Sequence, residues 1–343
     1  MDDTTNDWLR RLGAGESIAS NCERARITRR QFDEWWHAEL VSRVPDLSGV
    51  QAAAVRAQVT IERDAWGIPH ISAESEPDLF FGFGYAMAAD RLFQMDYLRR
   101  KASGTLSELL GPRGLELDRL ARAVGIRRIA QAEWERLPEE TRTFVDAFAH
   151  GVNALIEQTR ARPPIEFDLL DYRPAPWSGV DCLAVEGEFR WYLTGRFPVI
   201  VMPELARRAL GSGPLYQAFL RCESDGECIV PAGSYDPRKK GALEPVGHVA
   251  NDPDAGLGSN NWVVSPARST SGCALVASDP HIAFEAVSCW YEVHLDGGRF
   301  HVAGMAYAGM PAVMFGRNQR VAWGCTNNIC SLRDLYQERT DPA

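Results

Sequence analysis

The sequence predicts an α+β protein, mainly helical in its first two thirds and built of short strands in its last part. Three observations carry that expectation. Apolar residues recur at three to five positions between residues 75 and 220, β-favouring runs separated by turn residues fill the chain from Asn261 onward, and a stretch rich in proline and glycine separates the two. At 343 residues the chain is long enough for about two domains of roughly 150 residues each. With 45% hydrophobic and 24% charged residues it has an ordinary globular composition, and no apolar run reaches the length that crosses a bilayer. The net charge of −9 repels phosphate backbones and anionic lipid, so neither nucleic acid nor a membrane is an expected partner.

Residues 1–56 are polar with scattered aromatics (Phe32, Trp35, Trp36) and read as a helical N-terminal arm. Alternation from Val55 to Arg63 predicts a strand, and Gly67-Ile68-Pro69-His70-Ile71 a turn into a second one, giving a hairpin. Ser75 with Asp78 three residues on forms a capping box, after which Leu79, Phe83, Met87, Leu92, Met95 and Leu98 trace the stripe of an amphipathic helix. Helical patterns also run over Leu115–Trp134, Pro138–Arg160 and Ser178–Thr194, the last opened by a Ser178/Asp181 capping box, so residues 57–230 form a mainly helical region. Residues 231–258, with four prolines, five glycines and the exposed run Arg238-Lys239-Lys240, read as an extended, protease-accessible spacer. Within 259–343, Trp262–Val264, Cys273–Ala277, Trp290–Leu295, Phe300–Met305 and Arg320–Trp323 are expected strands of an antiparallel sheet.

The eight cysteines include no CxxC pair and no zinc-type spacing, so free, mostly buried thiols are expected; Cys222 and Cys228 are close enough in sequence to close a small loop in an oxidising compartment. Ligand spacing typical of metal-dependent hydrolases is likewise missing. The first residues are acidic where an export signal would be basic and then apolar, so the chain as written reads as cytoplasmic.

Chemistry concentrates at the junction Gly258-Ser259-Asn260-Asn261-Trp262, where the spacer meets the first strand. A serine hydroxyl beside a glycine carbonyl can attack it, and an N-to-O acyl shift would cut the chain before Ser259. The new terminus would carry both a nucleophilic Oγ and an α-amine, whose ordinary pKa of about 7.7–8.0 suits a general base near neutral pH.

The segment Gly258 to Val264, then Asp279-Pro280-His281, Gly309-Met310-Pro311 and Asn318 to Asn327, resembles the start of the β subunit of the penicillin amidase family, which comprises penicillin and cephalosporin acylases of the N-terminal nucleophile hydrolase class. Upstream, Arg63 to Ile71 and Gly84 to Met95 resemble the family's α subunit. The resemblance implies an αββα four-layer core, incomplete here, with a helical α-subunit region. It also implies a precursor cleaved between Gly258 and Ser259, and association of the two resulting chains. The reaction implied is hydrolysis of a small acylated amide, with no cofactor in the chemistry.

Residue by residue, Ser259 matches the nucleophile, and His281 the position that hydrogen-bonds it, a histidine in cephalosporin and acyl-homoserine lactone acylases. The Asn327 N–H matches an oxyanion donor. Ile282, Met314 and Phe315 match acyl-pocket positions, all apolar here, which favours a hydrophobic acyl group. Glu204 and Asp334 match two ligands of a structural calcium, with Ser331 standing where relatives have another acid. Family members continue further, and the asparagine that completes their oxyanion hole lies in that stretch. The resemblance therefore leaves room for a separate C-terminal polypeptide that supplies it, or for a catalytically silent fragment. An acyl-homoserine lactone or lipopeptide acylase is the neighbouring alternative. Relatives are often exported, which leaves the compartment open.

Overall fold

The structure is a computed structural model and describes residues 3–194, 197–220, 259–282 and 288–326, with 336 and 338. These fall into two units, one of the chain up to Arg190 with Asn260–Thr326, the other of Trp191–Ser259 with Asn327–Ala343. The class is α+β, as the sequence predicts.

The arm is helical: α1 (Asp3–Gly13), α2 (Ile18–Ala25) and α3 (Arg29–Val41). Ser17 caps α2 by accepting from the Ser20 N–H, and Thr28 with Gln31 forms a full capping box on α3. Trp8, Phe32 and Trp35 interlock, Trp8 meeting Trp35 edge-on at 4.7 Å. Just beyond α3, buried Arg43 donates to Glu39, to Asp168 at 2.6 Å and to the Pro163 carbonyl at 2.8 Å, which fixes the arm to the distant segment around residue 165.

The hairpin joins β1 (Val59–Arg63) to β2 (Pro69–Ala73). Its first strand begins at Val59 rather than Val55, because the Arg56 and Ala57 N–H groups donate to the Asp78 carboxylate instead of a neighbouring strand. Helix α4 (Glu76–Ser103) starts where predicted, with the Ser75 hydroxyl capping Asp78. It is not one-sided, however: Asp78 to Gly84 is buried without interruption. One side of the helix meets β1, β2 and, from the last third of the chain, a strand over residues 290–297; the other meets α8 (Glu139–Gln158). Between them, α5 (Ser107–Leu110), α6 (Leu115–Val124) and α7 (Ile126–Arg136) correct the single helix expected over Leu115–Trp134. Gly125, in the left-handed region at φ 78°, breaks it. After α9 (Ile165–Leu169), α10 (Gly179–Thr194) begins at the predicted Ser178/Asp181 pair, joined at 2.7 Å. The second unit contributes α11 (Phe197–Leu210) and α12 (Pro214–Leu220).

The strands do not form the single sheet expected downstream of Asn261. β3 (Ser259–Val264) and β4 (Leu275–Pro280) make a two-stranded sheet, while β5 (Trp290–Gly297), β6 (Phe300–Tyr307), β7 (Val313–Arg317) and β8 (Ala322–Trp323) join the hairpin in a six-stranded sheet ordered β1-β2-β5-β6-β7-β8. The junction is parallel, β2 on β5. Alternation in β5 buries Tyr291, Val293 and Leu295, the side that meets α4. β8 starts two residues late because the Asn318 side chain accepts from the Arg320 and Val321 N–H groups and holds them in a turn.

Helices α4 and α8 touch backbone to backbone. A Cβ on Gly84 would lie 2.0 Å from the Phe148 carbonyl oxygen, and one on Gly151 would lie 2.0 Å from that of Phe81. Gly151→Ala is therefore expected to destabilise the fold by about 1–3 kcal/mol through forced separation of the helices. Gly187→Ala, whose Cβ would sit 3.4 Å from Ile126, should be neutral or stabilising by up to about 1 kcal/mol. Thermal or urea unfolding of the two variants measures the contrast.

Candidate functional site

Of the site residues expected from sequence, Ser259, His281, Ile282, Met314, Phe315 and Glu204 are described, whereas Gly258, Asn327 and Asp334 lie outside the described residues. Ser259 is the first residue of β3 and half-buried. The neighbouring strand β4 closes on Pro280, immediately before His281. Proline fixes the chain there, and the Ile282 N–H donates to the Pro280 carbonyl at 3.2 Å, so His281 sits in a tight turn. Its Nε2 lies 3.0 Å from Asp279 Oδ2. With a proton on Nε2 facing the carboxylate, Nδ1 is left as an acceptor.

Met314 and Phe315 are consecutive in β7, a strand that the sequence pattern missed. Strict alternation would send them to opposite faces. Phe315 pairs with Met305 and Val313 with Ala306, which makes Met314 the extra residue of a β-bulge, and the bulge breaks the alternation that would have revealed the strand. The Phe315 ring meets Trp290 edge-on at 4.7 Å, Trp290 meets Phe189 at 5.8 Å, and Phe189 meets Tyr307 at 4.3 Å. An aromatic wall on three elements, α10, β5 and β6, thus stands behind Phe315.

The residues just before position 327 are held between the two sheets. Trp323 Nε1 donates to the Val313 carbonyl at 3.3 Å, and Cys325 Sγ donates to that of Met314 at 3.6 Å. On the other side, Ser278 Oγ of β4 lies 3.5 Å from the Cys325 carbonyl oxygen. A Cβ on Gly324 would fall 2.8 Å from Ser278 Cβ and 3.0 Å from Asn261 Oδ1. The strand that opens on Ser259 therefore runs beside the segment that leads to Asn327. Asn261, Ser278 and Gly324 make this meeting; Asn261 and Gly324 fall in the sequence motifs, Ser278 falls between the expected strand and the motif that follows it, and only the lack of a side chain at Gly324 signals the close approach.

Glu204 lies in α11, apart in sequence from these strands, and both its oxygens accept from Arg207 at 2.7 and 2.8 Å, with a further bond from Arg208 at 2.8 Å. Those guanidinium bonds lower its pKa to about 2. Calcium wants six to eight oxygens with lone pairs turned inward, and no group of three or more acidic, histidine or cysteine side chains among the described residues could hold a metal. Of the three positions matched to calcium ligands, Glu204 is bonded to two guanidinium groups, while Ser331 and Asp334 lie outside the described residues.

A sequence model of the penicillin amidase family matches residues 58–343. Penicillin acylase 2 proenzyme of Pseudomonas sp. (strain SE83) is 34% identical over 315 residues, covering 88% of this chain and 40% of that protein. Acyl-homoserine lactone acylase QuiP of Pseudomonas aeruginosa is 32% identical over 323 residues, covering 89% and 37%. Among solved structures, a thermostable penicillin G acylase from Alcaligenes faecalis superposes with a TM-score of 0.44 at 29% identity, covering 51% of this chain and 97% of that one. The chain thus spans about two fifths of the length of the curated relatives.

The packing around Gly324 sets a testable constraint. Gly324→Ala should cost about 1–3 kcal/mol by pushing the segment away from β4. Adding Ser278→Gly, which removes the nearest opposing atom, should restore part of the loss in thermal unfolding.

Proposed function

The chain belongs to the penicillin amidase family, and from that premise we propose that it carries the nucleophile-bearing part of an amidohydrolase that cleaves the linear amide of a small acylated amine. The observation that carries the proposal is the sequence Gly258-Ser259-Asn260-Asn261-Trp262, with Ser259 as the first residue of a strand. Maturation begins with Ser259 Oγ attacking the Gly258 carbonyl carbon. The Gly258–Ser259 peptide bond breaks as the ester forms, and water hydrolyses that ester to leave a free α-amine on Ser259. One relative is named a proenzyme, which fits a precursor of this kind. The two chains then stay associated.

In catalysis the α-amine takes the Oγ proton, directly or through water. Oγ attacks the acyl carbonyl, and the Asn327 N–H stabilises the negative oxygen that develops. The amide C–N bond then breaks, with the amine leaving on the proton held by the α-ammonium. Water hydrolyses the acyl ester and regenerates Ser259. His281 positions Ser259 by hydrogen-bonding it, while Asp279 holds the His281 ring at Nε2. No metal is assigned a role. A hydrophobic acyl group fits Ile282, Met314 and the aromatic wall behind Phe315. A penicillin side chain and a fatty acyl chain both satisfy that description, and the second reading, an acyl-homoserine lactone acylase, is favoured by the likeness to QuiP.

Intact mass and N-terminal sequencing test the maturation step. Wild-type chain should yield a species beginning Ser259-Asn260-Asn261, absent from Ser259→Ala; a wild-type chain that stays uncut points instead to a silent, partner-binding protein. Phe315→Ala should open the acyl pocket, and the ratio of kcat/KM for a long acyl chain to that for phenylacetyl should rise about tenfold, in line with the 1–3 kcal/mol that a methylene-sized change commands.

A further inference from the structure

We propose that His70 and His294 form a proton-controlled latch on the seam that joins the β1–β2 hairpin to the rest of the six-stranded sheet. The seam is short. β2 and β5 pair at His70↔His294, Ile71↔Leu295 and Ser72↔Asp296, whereas β5 and β6 pair through the whole length of both strands. Across it the two imidazoles meet at 3.0 Å between their Nδ1 atoms, with ring centroids 5.1 Å apart and planes at 82°.

An N–H···N contact of this kind needs one proton between the two nitrogens. Asp64, held by the Trp66 and Ile68 N–H groups, lies 3.5 Å from His70 Nε2 and favours a proton there. The neutral pair is then satisfied when His294 donates from Nδ1 to His70. With one proton added to the pair, one of the two nitrogens still donates and the other accepts, so the bond is kept. A second leaves N–H facing N–H, with two positive charges about 3 Å apart and no acceptor between them.

The surroundings oppose that second proton. Burial, then the charge of His70, lower the His294 pKa; Arg317 on β7 and His301 on β6 act the same way, and Asp296 on β5 acts against them. Glu62, opposite His70 on β1, is the remaining charged group on this face at the hairpin, and Glu292 precedes His294 by two residues on β5. His301 is itself tied to Asp296 through Nδ1. Since folding lowers the His294 pKa, the seam is at full strength above the ordinary histidine pKa of about 6.5 and weakens as pH falls below it. The inference stands whether or not Ser259 is a nucleophile.

Hydrogen exchange of the full chain between pH 7.5 and 5.0, corrected for intrinsic chemical exchange, tests the latch. Opening of the peptides covering residues 69–73 and 293–297 should increase several-fold across that range, in the direction that a lowered His294 pKa sets. Peptides from α8 should hold steady. His294→Gln keeps a hydrogen-bonding group but cannot titrate, and should remove the pH dependence; His70→Gln serves the same purpose if the first variant does not fold. Protection of the seam that is constant with pH in the wild type, or the same rise in either variant, overturns the proposal, and the wild-type arm decides alone if both variants misfold.

Discussion

Helix α4 can be buried on both sides only because Gly84 and Gly151 let α8 approach to backbone contact, and much of the first unit is fastened to that helix. Its carboxylates are the fasteners. Glu76 binds Arg299 at the β5–β6 turn with bonds of 2.7 and 2.9 Å, and Asp78 receives the chain entering β1. Asp90 joins Arg63 of β1 to Tyr291 of β5 at 2.9 and 2.7 Å. Burial raises the Tyr291 phenol pKa, followed in effect by the Asp90 charge, so the hydroxyl remains a donor to that carboxylate. Asp96 accepts from Tyr172 at 2.9 Å and from Arg99 and Arg100. The Asp96 pairs are buried, and such pairs add little net stability relative to apolar packing although an unpaired partner is costly; the half-exposed Glu76 and Asp90 pairs contribute less, so together they specify which strand meets which helix face.

That spine explains which parts of the fold were legible from sequence. Caps depend on neighbours three residues apart, and so Ser75/Asp78 and Ser178/Asp181 marked the starts of α4 and α10 correctly. The burial of α4 on both sides was not legible, because it depends on a glycine some 70 residues away in α8. The same limit applied to the strands. Each of β5 and β6 reads as a strand in isolation, yet nothing local says that β5 pairs with a hairpin more than 200 residues upstream or that β3 and β4 form a separate sheet. The bulge at Met314 hid β7 by removing the alternation that identifies strands.

At the candidate site the division is similar. Ser259, His281 and the run Trp323-Gly324-Cys325 stand out in the sequence because they fall in motifs. The approach of the Trp323-Gly324-Cys325 run to β3 and β4 rests on Asn261 and Ser278, whose types are unremarkable and whose importance comes from what Gly324 leaves room for. Glu204 is a position matched by resemblance, and its neighbours Arg207 and Arg208 are spaced to reach back along one helix face and pair with it.

The strand order gives the proposed maturation a mechanical basis. β2 lies before Ser259 and β5 after it, yet they are neighbours in one sheet, and the helix before the cut is tied to strands after it by Glu76–Arg299, Asp90–Tyr291 and Gln94 donating to the Ser288 carbonyl at 3.0 Å. A break between Gly258 and Ser259 severs none of these. The residues released from covalent constraint are the spacer end and the start of β3, while the Tyr291, Val293 and Leu295 side chains stay buried in the first unit. Self-cleavage can therefore free an amine at the site without freeing a chain. The histidine pair then lies on a seam between two polypeptides, where the loss of one hydrogen bond is no longer offset by chain connectivity.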